Sequence, residues 1–94
     1  MKARSREQVI LLSHIPNIGP AMVRDFGVLG IVKPSQLKGR DPLKLYKKLC
    51  AVTSLRHDPC VLDVFMAAVD FMNGAPSRPW FFYTPERKRK YKKV

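Results

Sequence analysis

The run Ile15-Pro16-Asn17-Ile18-Gly19-Pro20 constrains this chain more than any other, because it forces a tight reversal directly before a helix start. Asn17 and Gly19 are residue types that tolerate positive φ. Pro20 suits the first helical position, where its missing N–H would have no partner anyway. The amides around that start (Gly19, Ala21, Met22) then point outward as an anion site. Val9, Ile10, Leu11 and Leu12 supply an apolar first helix, and Leu29-Gly30-Ile31 gives a glycine stop. The pattern reads as a helix-hairpin-helix unit, a backbone device for gripping phosphate. Such units also serve as packing or protein-docking modules.

Recurring caps divide the rest. Ser5 followed by Gln8 fits a capping box opening a helix to about His14. A second helix spans about Pro20 to Leu29, with Gly27 inside it costing about 1 kcal/mol relative to alanine, a mark of close packing or a frayed end. Pro34 to Lys38 forms a short helix closed by Gly39. Asp41-Pro42 and Asp58-Pro59 each place a capping carboxylate before an N1 proline. They open helices to about Val52 and to Asn73-Gly74. Leu45, Leu49 and Val52 share one helix face, with Lys44, Lys47 and Lys48 on the other side. Val61, Leu62, Phe65, Met66, Val69 and Met72 cover more than half of the last long helix, so it is expected to be central. Ala75-Pro76-Ser77-Arg78-Pro79 is an extended crossing, followed by Trp80-Phe81-Phe82-Tyr83 and one last turn from Thr84-Pro85-Glu86. No strand alternation competes. The expectation is an all-α, compact bundle of about five short helices in a SAM-like helix-hairpin-helix architecture. Residues 1–86 form the domain and 87–94 a flexible basic tail.

Ninety-four residues leave room for one small domain. No apolar run is long enough to span a bilayer. The N-terminal basic residues precede an apolar run broken by Ser13, His14 and Pro16, which lacks a secretory core and cleavage site. A cytoplasmic protein with two free thiols is expected. The net charge is +11, and six of the eight residues from Arg87 to Val94 are Lys or Arg. The remainder still carries 12 basic against 7 acidic side chains, a net of +5. Charge of that sign favours nucleic acid, anionic lipid or an acidic protein as partner.

Several further stretches carry a family resemblance. They are Leu49-Cys50-Ala51-Val52-Thr53, Arg56-His57-Asp58-Pro59-Cys60-Val61-Leu62-Asp63, Arg78-Pro79-Trp80 and Tyr83-Thr84-Pro85-Glu86-Arg87-Lys88. With the hairpin, they make the chain resemble the bacterial pathogenicity-locus family, mitomycin-resistance-protein-like, over roughly residues 9 to 88. That small helix-hairpin-helix family is related to the C-terminal domain of competence regulators. The resemblance implies the fold. DNA binding follows from the wider class, whose hairpins in ligases, glycosylases and polymerases grip the DNA backbone without reading sequence. Ile18, Gly19, Ala21 and Met22 map onto the hairpin and helix-start positions of that class. Asn17 replaces a glycine common there but supplies the same backbone conformation. Arg89-Lys90-Tyr91-Lys92-Lys93 extends beyond the shared region.

Candidate side chains divide by chemistry. Arg24, one turn into the second helix, is placed to add a charge-assisted phosphate bond. Lys44, Lys47 and Lys48, with Arg40 before them, form a stripe suited to a phosphate backbone, and equally to a solvated face. Arg87, Lys88, Arg89 and Lys90 begin a flexible electrostatic arm. The aromatic cluster reads as core or lid packing in preference to base stacking. Cys50, His57 and Cys60 are ligand-like types at C-x6-H-x2-C spacing, which matches no recognised zinc pattern. Cys60 near a helix start is expected to have a lowered thiol pKa. Asp63 and Asp70 share a helix face that is expected to be exposed. With no nucleotide loop, activated serine or ligand cluster, the chain reads as a non-enzyme without cofactor. The expected function is sequence-independent binding of nucleic acid, chiefly duplex DNA, in DNA repair or stress resistance. A homodimer or partner protein would strengthen a single hairpin. The alternatives are a protein-interaction adapter and a small Cys/His metal or redox module.

Overall fold

Helix α3 (Pro59–Met72) is the axis of the fold. A computed structural model describes residues 2–94 and buries every α3 residue from Leu62 to Met72 except Asp70. An apolar helix with no consistently polar side has to be wrapped by other elements. Helices α1 (Pro20–Val28), α2 (Pro42–Thr53) and α4 (Thr84–Lys90) surround it, with 3-10 turns at Arg6–Gln8, Leu12–His14, Pro34–Leu37 and Trp80–Tyr83. Helices α2 and α4 and the last two of those turns pack directly on α3. Among the described residues there is no strand, and no helix is long and apolar enough to cross a membrane.

The caps act as their sequence suggests. Asp41 Oδ1 accepts from the Leu43 N–H and Asp58 Oδ1 from the Cys60 N–H, each at 2.9 Å. These carboxylates satisfy amides that a helix start leaves without partners. Helix α2 ends with Ser54 in the left-handed region at φ 55°. Helix α3 ends at Asn73, whose Oδ1 also accepts from the Gly39 N–H at 2.9 Å and so ties the turn after Leu37 to α3. Phe26 of α1 stacks on Phe65 of α3 with ring centroids 5.2 Å apart. Ile15, Ile18, Ile31, Leu37, Leu45, Leu49 and Leu62 are the other large apolar side chains that are fully buried. Each such side chain contributes roughly 1.5–3 kcal/mol of transfer free energy.

The expected first helix does not form. Residues 5–14 make two 3-10 turns instead, and Ser5 caps nothing with its side chain. Gln8 Oε1 accepts from the Arg4 N–H at 2.8 Å, and His14 Nδ1 accepts from the Ile10 and Leu11 N–H groups, each at 3.2 Å. His14 thus takes amides that an α-helix would have used, a competition between side chain and helix ladder. Ile10 and Leu11, expected in the apolar helix, are exposed. Pro34–Leu37 is likewise 3-10, so among the described residues four α-helices replace the expected five. The C-terminal region differs in the opposite direction. Helix α4 continues to Lys90, and Tyr91 and Val94 lie partly buried against the core, where the sequence suggests a frayed tail from residue 87.

Candidate nucleic-acid interface

The hairpin begins as a reversal in which the Ile18 N–H donates to the Ile15 carbonyl at 3.1 Å. Asn17 takes φ 73°, the left-handed conformation its residue type permits. Gly19 does not: its φ of −99° and ψ of −174° are extended, so its freedom is not needed for the turn. What Gly19 contributes is openness, since a Cβ built there would meet nothing within 4 Å. Pro20 takes N1 of α1 and no side chain caps the start. Among the described residues, the N–H groups of Gly19, Ala21 and Met22 find no acceptor. Ile18 is fully buried and serves as an apolar anchor beneath the turn.

Two side chains brace this hairpin. The Lys2 ammonium donates to the Ser13 carbonyl at 2.8 Å and to the Ile18 carbonyl, and burial lowers its pKa. Asn17 reaches the other way, its Nδ2 donating to the Arg78 carbonyl at 2.8 Å and its Oδ1 accepting from the Trp80 N–H at 3.1 Å. Sequence spacing gives no hint of either link, since they join residues far apart in the chain. Arg24 is exposed and has no hydrogen bond or ion pair among the described residues.

Asn17 therefore holds the aromatic turn against the hairpin. Of the expected core or lid packing, core burial holds for Tyr83 and not for its three neighbours. Trp80, Phe81 and Phe82 are 38%, 62% and 56% exposed. The reason is geometric: four consecutive residues in a 3-10 turn point around the whole axis, so one wall can accept only part of them. The Arg78 guanidinium lies over the Phe82 ring at 4.7 Å.

The two carboxylates on α3 are not an exposed pair. Asp63 is fully buried, accepting from Arg87 Nε at 2.9 Å and from Thr84 Oγ1 at 2.7 Å. The Asp63 hydrogen bond pushes the Arg87 pKa up. Asp70 accepts from the Tyr83 hydroxyl at 2.8 Å and pairs with Arg78 at 3.5 Å. Burial, followed by the Asp70 carboxylate, raises the Tyr83 pKa. Both aspartates fasten the C-terminal segment to α3. Arg87 accordingly leaves the set of free phosphate contacts, while Lys88, Arg89 and Lys90 stay exposed.

The basic residues gather elsewhere. Lys44, Lys47 and Lys48 are all exposed on α2. The chain end folds back toward them, so that Leu43, Lys47, Lys90, Tyr91, Lys92, Lys93 and Val94 line one open groove of about 340 Å³. Gly39, Arg40, Asp41, Lys44, Leu45 and Lys48 line a second, of about 270 Å³. One lysine-rich face thus combines α2 with the chain terminus, and Lys92 and Lys93 join the candidates.

Cys50, His57 and Cys60 do not assemble a metal centre. Among the described residues no three His, Cys, Asp or Glu side chains come together as a ligand set. His57 Nε2 bonds Thr53 Oγ1 at 2.8 Å, and the Tyr46 hydroxyl donates to the His57 carbonyl. Both thiols are free and partly buried. The Cys60 pKa is raised, not lowered, because burial and the capping Asp58 carboxylate outweigh the charge of Arg87. Asp58 itself is held below its ordinary value by the Cys60 amide.

No solved structure matches this chain. The chain is 47% identical over 78 residues to the mitomycin resistance protein McrB of Streptomyces lavendulae, covering 83% of this chain and 74% of that protein. Residues 5–89 match the Cdd1 family, described as "Pathogenicity locus". That match takes in the hairpin, the aromatic turn and the Asp63–Arg87 pair together, and on it the chain belongs to the pathogenicity-locus family.

Proposed function

We propose that this protein binds nucleic acid, chiefly duplex DNA, through its phosphates and without reading sequence, as a binding module and not an enzyme. The observation that carries the reading is the folding of the lysine-rich chain end onto the lysine face of α2. A folded array of like charges holds its side chains near one another at a continuing electrostatic cost, which an anionic partner relieves. The unpartnered amides of Gly19, Ala21 and Met22 supply a second phosphate contact, in the manner of a helix-hairpin-helix. Asp63 and Asp70, the carboxylates nearest to a hydrolytic pair, already serve Arg87, Thr84, Tyr83 and Arg78. The name of the Streptomyces relative, a mitomycin resistance protein, extends the reading to drug or stress resistance.

The test is anisotropy of labelled duplex DNA across a salt series. Removing residues 87–94 is a poor variant, because it deletes the buried Arg87. Replacing the exposed Lys44, Lys47 and Lys90 by glutamine spares the core. With three fewer phosphates neutralised, the log–log salt slope should fall by about 2.7. A Gly19→Leu chain, which has space for the side chain, should bind more weakly at every salt concentration. Unchanged affinity in both variants overturns the reading. The exposed Val32, Val52 and Leu55 would then favour a protein-docking adapter.

A further inference from the structure

We infer that the exposed turn Trp80–Phe82 is a stacking site for unpaired nucleobases, adding single-stranded segments to the phosphate binding proposed above, on which this inference rests. The turn spends three aromatic side chains on solvent, although apolar surface is in demand for a core this small. Trp80 and Phe81 meet edge to face, with centroids 5.8 Å apart and planes at 86°. Such a corner leaves a ring face open while the neighbouring ring forms a wall, a geometry that suits a flat heterocycle.

Charge selects the partner. Arg78, paired with Asp70, lies over Phe82, and the exposed Arg89 lines the same groove of about 450 Å³, whose walls also include Asp70 and Glu86. A nucleotide carries both a π-face for the rings and a phosphate for the Arg89 guanidinium, whereas an aliphatic ligand offers neither. On a chain of net charge +11, an anionic strand meets no long-range repulsion. The Asn17 clamp also sets the reach. Asn17 holds the Trp80 N–H and stands two residues from Gly19, within about 7 Å along the chain. One strand can therefore stack at the turn and carry its next phosphates toward the hairpin. Flat side chains displayed next to a phosphate grip are what a strand leaving a duplex would need.

Trp80 is the single tryptophan, so its emission reports on the site directly. The full chain is titrated with short oligothymidylate, with an abasic strand of equal phosphate number, and with blunt duplex. Oligothymidylate should quench Trp80 and bind about tenfold tighter than the abasic strand. Phe81→Leu keeps an apolar side chain at a position 62% exposed, and should remove about tenfold in oligothymidylate affinity while leaving duplex affinity unchanged. Equal binding of the abasic strand overturns stacking and leaves the phosphate reading intact. Failure of all three nucleic acids to bind overturns both. Emission that shifts with protein concentration alone assigns the turn to a second copy of the chain, and a shift on adding phosphatidylglycerol vesicles without DNA quenching assigns it to a lipid surface. Either result overturns the stacking site.

Discussion

The Asn17 carboxamide bridges the hairpin to Trp80, accepting the tryptophan N–H at 3.1 Å while donating to the Arg78 carbonyl at 2.8 Å. One side chain thus does two things that a glycine cannot do together. Its backbone takes φ 73° and its amide clamps the turn. Asn17→Gly should keep the reversal and lose the clamp, costing about 1 kcal/mol. Asn17→Ala should cost about 1–2 kcal/mol more, through strain in the left-handed region. Urea unfolding followed by Trp80 emission checks the order. Equal stability of the two variants would show that the φ requirement is not real.

The Asp63–Arg87 pair is buried on both sides, with 0% and 12% side-chain exposure. Arg87→Ala should destabilise the chain by about 3 kcal/mol, because Asp63 is left as an uncompensated charge. Replacing both residues, Asp63→Leu with Arg87→Met, should recover most of that loss. Hydrogen exchange should show residues 84–94 opening in the single variant before the rest of the chain.

Burial, followed by the Asp58 carboxylate, raises the Cys60 pKa. At neutral pH the folded chain then holds less thiolate at this position than an unfolded chain does. Iodoacetamide should modify Cys60 more slowly in the folded protein, and urea should accelerate the reaction. Because the folded pKa lies above the unfolded one, the associated stability is complete below the ordinary thiol value of 9.0 and is lost as pH rises through the folded value. A Cys60 rate that matches or exceeds that of the unfolded chain would contradict the assigned shift.

Two glycine exchanges should both stabilise, for opposite reasons. Gly27 lies in α1 with open space where a Cβ would go and no positive φ. Gly27→Ala should add up to about 1 kcal/mol. Ser54 ends α2 at φ 55°, where Ser54→Gly relieves strain worth up to about 1 kcal/mol. Thermal unfolding of each variant decides. A loss of stability in Gly27→Ala would mean that this position serves something other than the helix.

What can be read from the sequence is local. Asp41-Pro42 and Asp58-Pro59 announce their helices because a capping carboxylate and an N1 proline act within three residues. The reversal at Asn17 is legible for the same reason. The segment 5–14 misleads, since Ser5 and Gln8 have capping-box spacing, yet Gln8 and His14 take the nearby amides for themselves. Asp63 and Asp70 are unreadable as fasteners, because their partners lie 8 to 24 residues further along the chain. Three of the four aromatics at 80–83 are exposed and do not join the core, which is one half of the expected core or lid packing. Their number in one short turn is itself the signal, since a single wall cannot accept them all.

Asp63 enters the core with its partner 24 residues away in sequence. During synthesis α3 emerges first, carrying a carboxylate that cannot be desolvated until Arg87 follows. The core around α3 is therefore complete only when the last helix docks, which ties the folding of the centre to the end of the described chain.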